Sequence, residues 1–180
     1  GLRGLPVVRR GDQLIYAQSL DDIAEFLGVT RNPRDRQRLS QEQLLDRWDQ
    51  VLERARTIVG SFDEEQLERR AILIRERTIK QLSSHVFQIV EAFMVAIDDG
   101  LRDTRDLQGS PRADIVTRAD LLSYVDKILG QYRDWRERGR AEAIGDSIVT
   151  FWGDQPSGQV LERFVWHSTQ HARQLDAIAA

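Results

Sequence analysis

Apolar residues recur every three or four positions along most of the chain after residue 40, which is the period of an amphipathic helix. The pattern predicts four long helices, over about 40–60, 78–100, 117–139 and 157 to nearly the last residue. The first three begin at capping boxes, in which a Ser or Thr and a polar residue three positions later pair with exposed backbone N–H groups. These boxes are Ser40 with Gln43, Thr78 with Gln81, and Thr117 with Asp120. Four such helices indicate an all-α protein built as a four-helix bundle.

The first forty residues have a different pattern. Two short apolar runs at 6–8 and 14–16 flank a polar turn that contains Gly11, which predicts a β-hairpin. A short helix is predicted over 19–28, followed by a charged linker. We therefore divide the chain into residues 1–36, a small hairpin-and-helix segment with its linker, and residues 37–180, the bundle. Between the third and fourth helices, residues 148–152 predict a short extended piece.

The composition of the chain excludes several classes of function. The 180 residues carry a net charge of -3, without the basic excess expected of a nucleic-acid-binding protein. No apolar run approaches the roughly 20 residues that cross a membrane, so we expect a cytoplasmic protein without a membrane partner. The chain has no cysteine, which excludes disulfides, thiolate metal ligands and a protein thiol as nucleophile.

The three histidines of the chain fall on inward-facing helical positions. His167 and His171 are one turn apart in the apolar stripe of the fourth helix, and His85 lies on the stripe of the second. Such residues are either hydrogen-bonded core histidines or ligands of one metal ion. Because three buried imidazoles compete for few partners, we predict a metal site. Neutral imidazole suits zinc, iron, nickel or copper, and three protein ligands leave a coordination position open for chemistry.

Other polar residues have less specific patterns. Gln170 and Gln174 flank the histidine pair and are candidates for hydrogen bonds to the metal ligands, although exposed helix positions are an equal alternative. Tyr124 is a candidate for the border of the site. Arg163 and Arg173 are candidates for binding a substrate carboxylate, with an ordinary surface role as the alternative. Glu91 is expected on the surface, and no residue is identified as a general base.

Two helical segments resemble a known family. The segments "RERTIKQLSSHVFQIVEAF" and "VLERFVWHSTQHARQL" are similar to the two metal-binding helices of the DinB-like (YfiT-like) superfamily. The resemblance covers about residues 40–180 and places His85, His167 and His171 at the metal ligands. It implies a four-helix bundle, a divalent zinc, nickel or iron ion, a homodimer, and a small-molecule substrate. Characterised members of the superfamily include thiol-dependent transferases and isomerases, and other members have no known activity.

The N-terminal segment resembles a second family. "GLRGLPVVRRGDQLIYAQSLDDIAEFLGV" is similar to the C-terminal half of a glutaredoxin-like domain, with Pro6 in place of the proline beside the thiol site. The resemblance implies a fusion whose first half is missing, and it favours glutathione as the low-molecular-weight thiol. The main hypothesis is an enzyme that activates such a thiol, or water, toward an electrophile. The alternatives are a non-catalytic, metal-stabilised binding or stress-response module, and a metal-free interaction bundle.

Overall fold

A computed structural model describes residues 7–16, 20–30, 39–72, 75–99, 111–150 and 153–180. Pro6, residue 19, Gly100, Trp152 and most of the predicted linker therefore lie outside the described residues. The chain divides into two compact units, Gly1–Ser40 and Gln41–Ala180. Within the described ranges the protein is mainly helical with small two-stranded hairpins, which confirms the all-α prediction.

The first unit contains one hairpin and one short helix. Strands β1 (Val7–Arg10) and β2 (Gln13–Tyr16) pair antiparallel, with Val8 opposite Ile15. Gly11 adopts a positive φ of 62° in the two-residue turn, a conformation that costs glycine little. Helix α1 (Leu20–Leu27) follows. The glutaredoxin-like character of this unit stays a prediction.

The second unit contains the four long helices. They are α2 (Gln41–Ser61), α4 (Ile79–Asp99), α5 (Arg118–Glu137) and α6 (Ser157–Ala179), each within two residues of the predicted ends. The capping box of Thr117 with Asp120 is present at the start of α5. Helix α6 packs on α2 and on α4, and α4 also packs on α5. No helix in the described ranges is long and apolar enough to cross a membrane.

One apolar core joins the long helices. Trp48 of α2 is fully buried and makes edge-to-face contacts with Phe93, Tyr132 and Phe164, which come from the other three long helices. Its indole Nε1–H donates to the buried Ser168 Oγ of α6 at 3.0 Å. This hydrogen bond favours one rotation of α6 about its axis, because any other leaves a buried donor without its partner. Ser168 directly follows His167, so the same contact sets the direction of that histidine.

Sequence periodicity did not predict three short pieces of the second unit. Helix α3 (Glu64–Glu68) begins at a capping box between Asp63 and Gln66. Strands β3 (Arg70–Ile72) and β4 (Arg75–Thr78) form a hairpin that leads directly into α4. A short 3₁₀ turn (Arg140–Ala143) follows α5. Of the extended piece predicted at 148–152, residues 148–150 belong to β5 (Ser147–Thr150), which pairs with β6 (Gly153–Pro156) in a further hairpin, and residues 151–152 lie outside the described residues.

Candidate metal centre

Two helices that pack against each other carry the three histidines. His85 lies in the second turn of α4. The start of that helix is fixed by the predicted box, in which the Thr78 N–H donates to Gln81 Oε1 at 3.0 Å. His167 and His171 lie one turn apart near the middle of α6 and therefore project from the same side of that helix. Packing of α4 on α6 brings the three side chains together.

The three imidazole rings form a compact triangle. The ring centroids of His85 and His167 are 5.2 Å apart, those of His85 and His171 are 4.9 Å apart, and those of His167 and His171 are 4.8 Å apart. Each ring offers one nitrogen, and these three atoms lie within 4.8 Å of one another. The histidines are thus close enough to hold one metal ion.

Burial keeps the imidazoles of His85 and His167 in the neutral form that binds metals. The His85 side chain is only 6% exposed, while His167 and His171 are half-buried. Burial, followed by the positive charge of Arg77, lowers the pKa of His85 from 6.5 to about 2. Burial, followed by the neighbouring His171, lowers the pKa of His167 to about 4. Because a metal replaces a proton on its ligands, rings that are neutral at pH 7 bind it without having to lose one.

The hydrogen bonding of two ring nitrogens indicates whether the cluster fits a metal ion. His85 Nδ1 is buried and has no hydrogen-bond partner among the described residues, which is costly unless a ligand meets it. His171 Nδ1 lies 2.7 Å from Gln174 Oε1. That amide oxygen accepts from an Nδ1–H, which places the His171 lone pair on Nε2. A polar neighbour that fixes the tautomer is typical of metal-binding histidines, so the donor set fits a divalent ion.

The other candidate residues are distributed unevenly. Gln174 contacts His171, whereas Gln170 and Arg173 are exposed on α6. Arg163 is half-buried and donates to Gln155 Oε1 on β6. Tyr124 makes its polar contacts with Glu91 and Arg112 instead of with the histidines. The structure therefore brings together the three histidines and Gln174, while Tyr124 bonds to Glu91 and Arg163 bonds to Gln155.

Glu91 is not the surface residue that was predicted. Its side chain is 28% exposed; its Oε2 accepts from the Tyr124 hydroxyl at 2.8 Å and from Arg112 Nη1 at 3.1 Å. The Arg112 guanidinium also bonds both carboxylate oxygens of Asp114 and lies 4.5 Å from the centre of the Tyr124 ring. The surface prediction was wrong because it rested on the position of Glu91 on the side of the helix away from His85. Helix α4 is buried on nearly all sides between Leu82 and Val90, so a position away from His85 does not indicate exposure to solvent.

Arg77 is a charged neighbour of the cluster that periodicity did not identify. It lies on β4, two residues before α4 begins, and its side chain is half-buried. Its charge acts on both His85 and His167. The β3–β4 hairpin has no apolar period, so no sequence pattern linked this arginine to the histidines.

In comparisons with protein-family models and with curated proteins, the chain matches none.

Proposed function

We propose that the protein is a DinB-like, metal-dependent enzyme in which His85, His167 and His171 hold a divalent ion between α4 and α6. One observation carries the proposal: three imidazoles converge, and the most buried of them has a ring nitrogen without a partner in the described structure. A hydrogen-bonded core histidine, the alternative left open by the sequence, would have both nitrogens satisfied.

The helical arrangement supports the family assignment. The long helices follow each other in the order that the DinB-like resemblance implies, with one histidine on the second of them and two on the fourth. Their contacts and shared core are those expected of a four-helix bundle. We therefore extend the proposal to the bundle fold and, from the resemblance, to a homodimer that acts on a small molecule.

Each residue of the cluster has a defined part in the proposed chemistry. A bound zinc, nickel or iron ion would act as a Lewis acid that lowers the pKa of a thiol or a water at its open position. The three histidines would hold the ion, and Gln174 keeps His171 in the tautomer that binds. Fully buried apolar neighbours of His85 on α4, such as Leu82 and Val86, exclude water from the inner side of the site.

The reacting thiol comes from outside the chain, because the sequence contains no cysteine. We propose a low-molecular-weight thiol, with glutathione favoured by the glutaredoxin-like N-terminal segment. The thiolate would add to an electrophilic small molecule. A water in the same position would make the enzyme a hydrolase.

The deep burial of His85 in the core supports a second function. It belongs to the most buried stretch of α4, so an ion bound there would tie α4 to α6 through the core. In this alternative the protein is a metal-stabilised binding or stress-response module without turnover. Both functions need the same ion, and they differ only in whether the open position supports a reaction.

The test begins with metal analysis of protein purified without a nickel column. We expect about one divalent ion per chain, removal by a chelator, and loss of the ion in His85→Gln. Glu162→Gln is the matched control, because Glu162 is exposed on the histidine-bearing helix. Absence of stoichiometric metal in the wild type, or equal loss in both variants, would overturn the metal site.

A second step separates the enzyme from the module. Metal-loaded and metal-free protein are compared in a screen of thiols against electrophiles, beside thermal melts of the same samples. Metal-dependent turnover supports the enzyme. A melting temperature that depends on the ion, with no turnover in the screen, supports the module.

A further inference from the structure

We propose that the cleft between α2 and α5 is a second binding site, for a small neutral molecule that is mainly apolar and accepts a hydrogen bond from the Tyr132 hydroxyl. This cleft is separate from the histidine cluster, whose ligands come from α4 and α6. Binding in the cleft therefore does not depend on the proposed metal ion.

Helices α2 and α5 leave a cavity of about 390 Å³ between them. Helix α5 packs more extensively on α4 than on α2, so side chains fill this seam of the fold less completely. The lining includes Leu52 of α2 with Leu129 and Tyr132 of α5, and all three side chains are buried. Small-molecule sites usually have volumes of about 300–1,000 Å³ and a mainly apolar lining. A cavity of this size with an apolar floor can hold a small organic molecule.

The Tyr132 hydroxyl is a polar group of this floor without a partner. The side chain is only 1% exposed, and its oxygen makes no hydrogen bond to any described residue. Buried hydroxyls are normally paired, because leaving one unpaired is costly. Burial, followed by the negative charge of Asp49, raises the pKa of Tyr132, so the hydroxyl keeps its proton and can donate it. A ligand in the cleft gains most by presenting an acceptor to this group.

Four charged residues that line the cleft are paired across it. Arg136 of α5 bonds to Asp49 of α2, and Arg133 of α5 bonds to Glu53 of α2. A charged ligand would displace one partner of such a pair or enter the cleft without a counter-charge, and both are costly where water is partly excluded. Glu137 also lines the cleft but is exposed, where an ion pair with a ligand gains little. The lining therefore favours a neutral ligand.

The test is an NMR titration of isotope-labelled protein with three aromatic probes of similar size. Acetophenone is neutral and carries one carbonyl acceptor, whereas benzoate and benzylammonium are charged. The indole N–H signals of Trp48 and Trp135 report on the cleft, because their ring centroids lie 5.6 Å and 6.3 Å from that of Tyr132. The exposed Trp166 of α6 is the reference signal. We expect saturable shifts of the first two signals with acetophenone, and at least about tenfold weaker binding of either charged probe.

Tyr132→Phe and Tyr124→Phe are matched variants, since each removes one hydroxyl from α5. Tyr132→Phe should weaken acetophenone binding about fivefold, as for the loss of one hydrogen bond. It should not lower the melting temperature, because the hydroxyl bonds to no described residue. Tyr124→Phe should retain the affinity for acetophenone and lower the melting temperature, because the Tyr124 hydroxyl donates to Glu91 Oε2 at 2.8 Å.

Each contrary result overturns a defined part of the proposal. Shifts that do not saturate, or that are equal at Trp166, would show non-specific binding and overturn the site. Equal or tighter binding of a charged probe would overturn the neutral class of ligand. Unchanged acetophenone affinity in Tyr132→Phe would overturn the role of the hydroxyl. A lower melting temperature in that variant would show that the hydroxyl already has a partner, such as a buried water, and would overturn the same role.

Discussion

Helix α4 carries two polar clusters on different sides, and they differ in whether their buried polar atoms are paired. Toward α5, Glu91 is paired with Arg112 and Tyr124, so that each charge meets an opposite charge or a hydrogen-bond donor. Toward α6, His85 meets His167 and His171, which are three rings of the same kind with a buried nitrogen left unsatisfied. The first cluster is complete in itself and stabilises the fold, whereas the second has a buried nitrogen that a bound metal ion would satisfy.

The largest expected difference between the two clusters is in metal affinity. His85→Gln removes one of three ligands, and we expect the affinity for zinc to fall by about 100-fold or more. Glu91→Gln should leave that affinity within about threefold of the wild type, because Glu91 bonds to a different set of residues. Competition with a chromophoric chelator measures both. Similar losses in the two variants would mean that the clusters are not independent.

Glu91→Gln, which should hardly change metal affinity, should lower the free energy of unfolding. Glu91→Gln leaves the partly buried Arg112 without the charge of its partner on α4, and we expect the free energy of unfolding to fall by about 2 kcal/mol. The exposed pair of Arg56 with Asp126 is the control, and Arg56→Gln should leave the free energy of unfolding close to the wild-type value. Urea denaturation of metal-free protein measures both values. Equal costs would contradict the structural role assigned to Glu91.

Acid should weaken the histidine cluster in the metal-free protein. The pKa of His85 is about 2 when folded and 6.5 in its ordinary state, so the unfolded chain binds more protons between these values. Stability therefore falls as the pH drops below about 6.5, by about 2 kcal/mol from this residue at about pH 5. The measurement is the free energy of unfolding against pH for the wild type and for His85→Gln. Parallel curves would show that His85 does not contribute.

The smallest expected effect concerns the residues beside the ligands. Gln174→Ala removes the acceptor of His171 Nδ1–H, and we expect the metal affinity to fall by about tenfold. Gln170→Ala should leave it unchanged, because Gln170, which is exposed on the same helix as Gln174, has no hydrogen bond to a histidine among the described residues. Both variants are measured with the chelator competition used for His85→Gln. A greater loss in Gln170→Ala would mean that the sequence placed the wrong glutamine beside the site.

The long helices were predictable because each buries a continuous apolar stripe, and a stripe is visible in any window of the sequence. The short elements were not, since α3 depends on the local pairing of Asp63 with Gln66 and the β3–β4 hairpin depends on backbone hydrogen bonds. The buried face of α6 also extends beyond the positions of the two histidines. It includes Leu161, Val165, Ser168 and Ala172, whereas His167 and His171 are half-buried on the flank of that helix that faces α4.

The helical class, the helix ends set by their caps, and the three histidines as candidate ligands were all predictable from the sequence. These follow from local periodicity and from residue chemistry, which need no knowledge of distant neighbours. The closed cluster around Glu91, and the effect of the Arg77 charge on His85 and His167, became evident only from the fold. Both depend on which segments pack against each other. Helix α4 is buried on nearly all sides, so its sequence alone does not indicate which neighbour each side contacts.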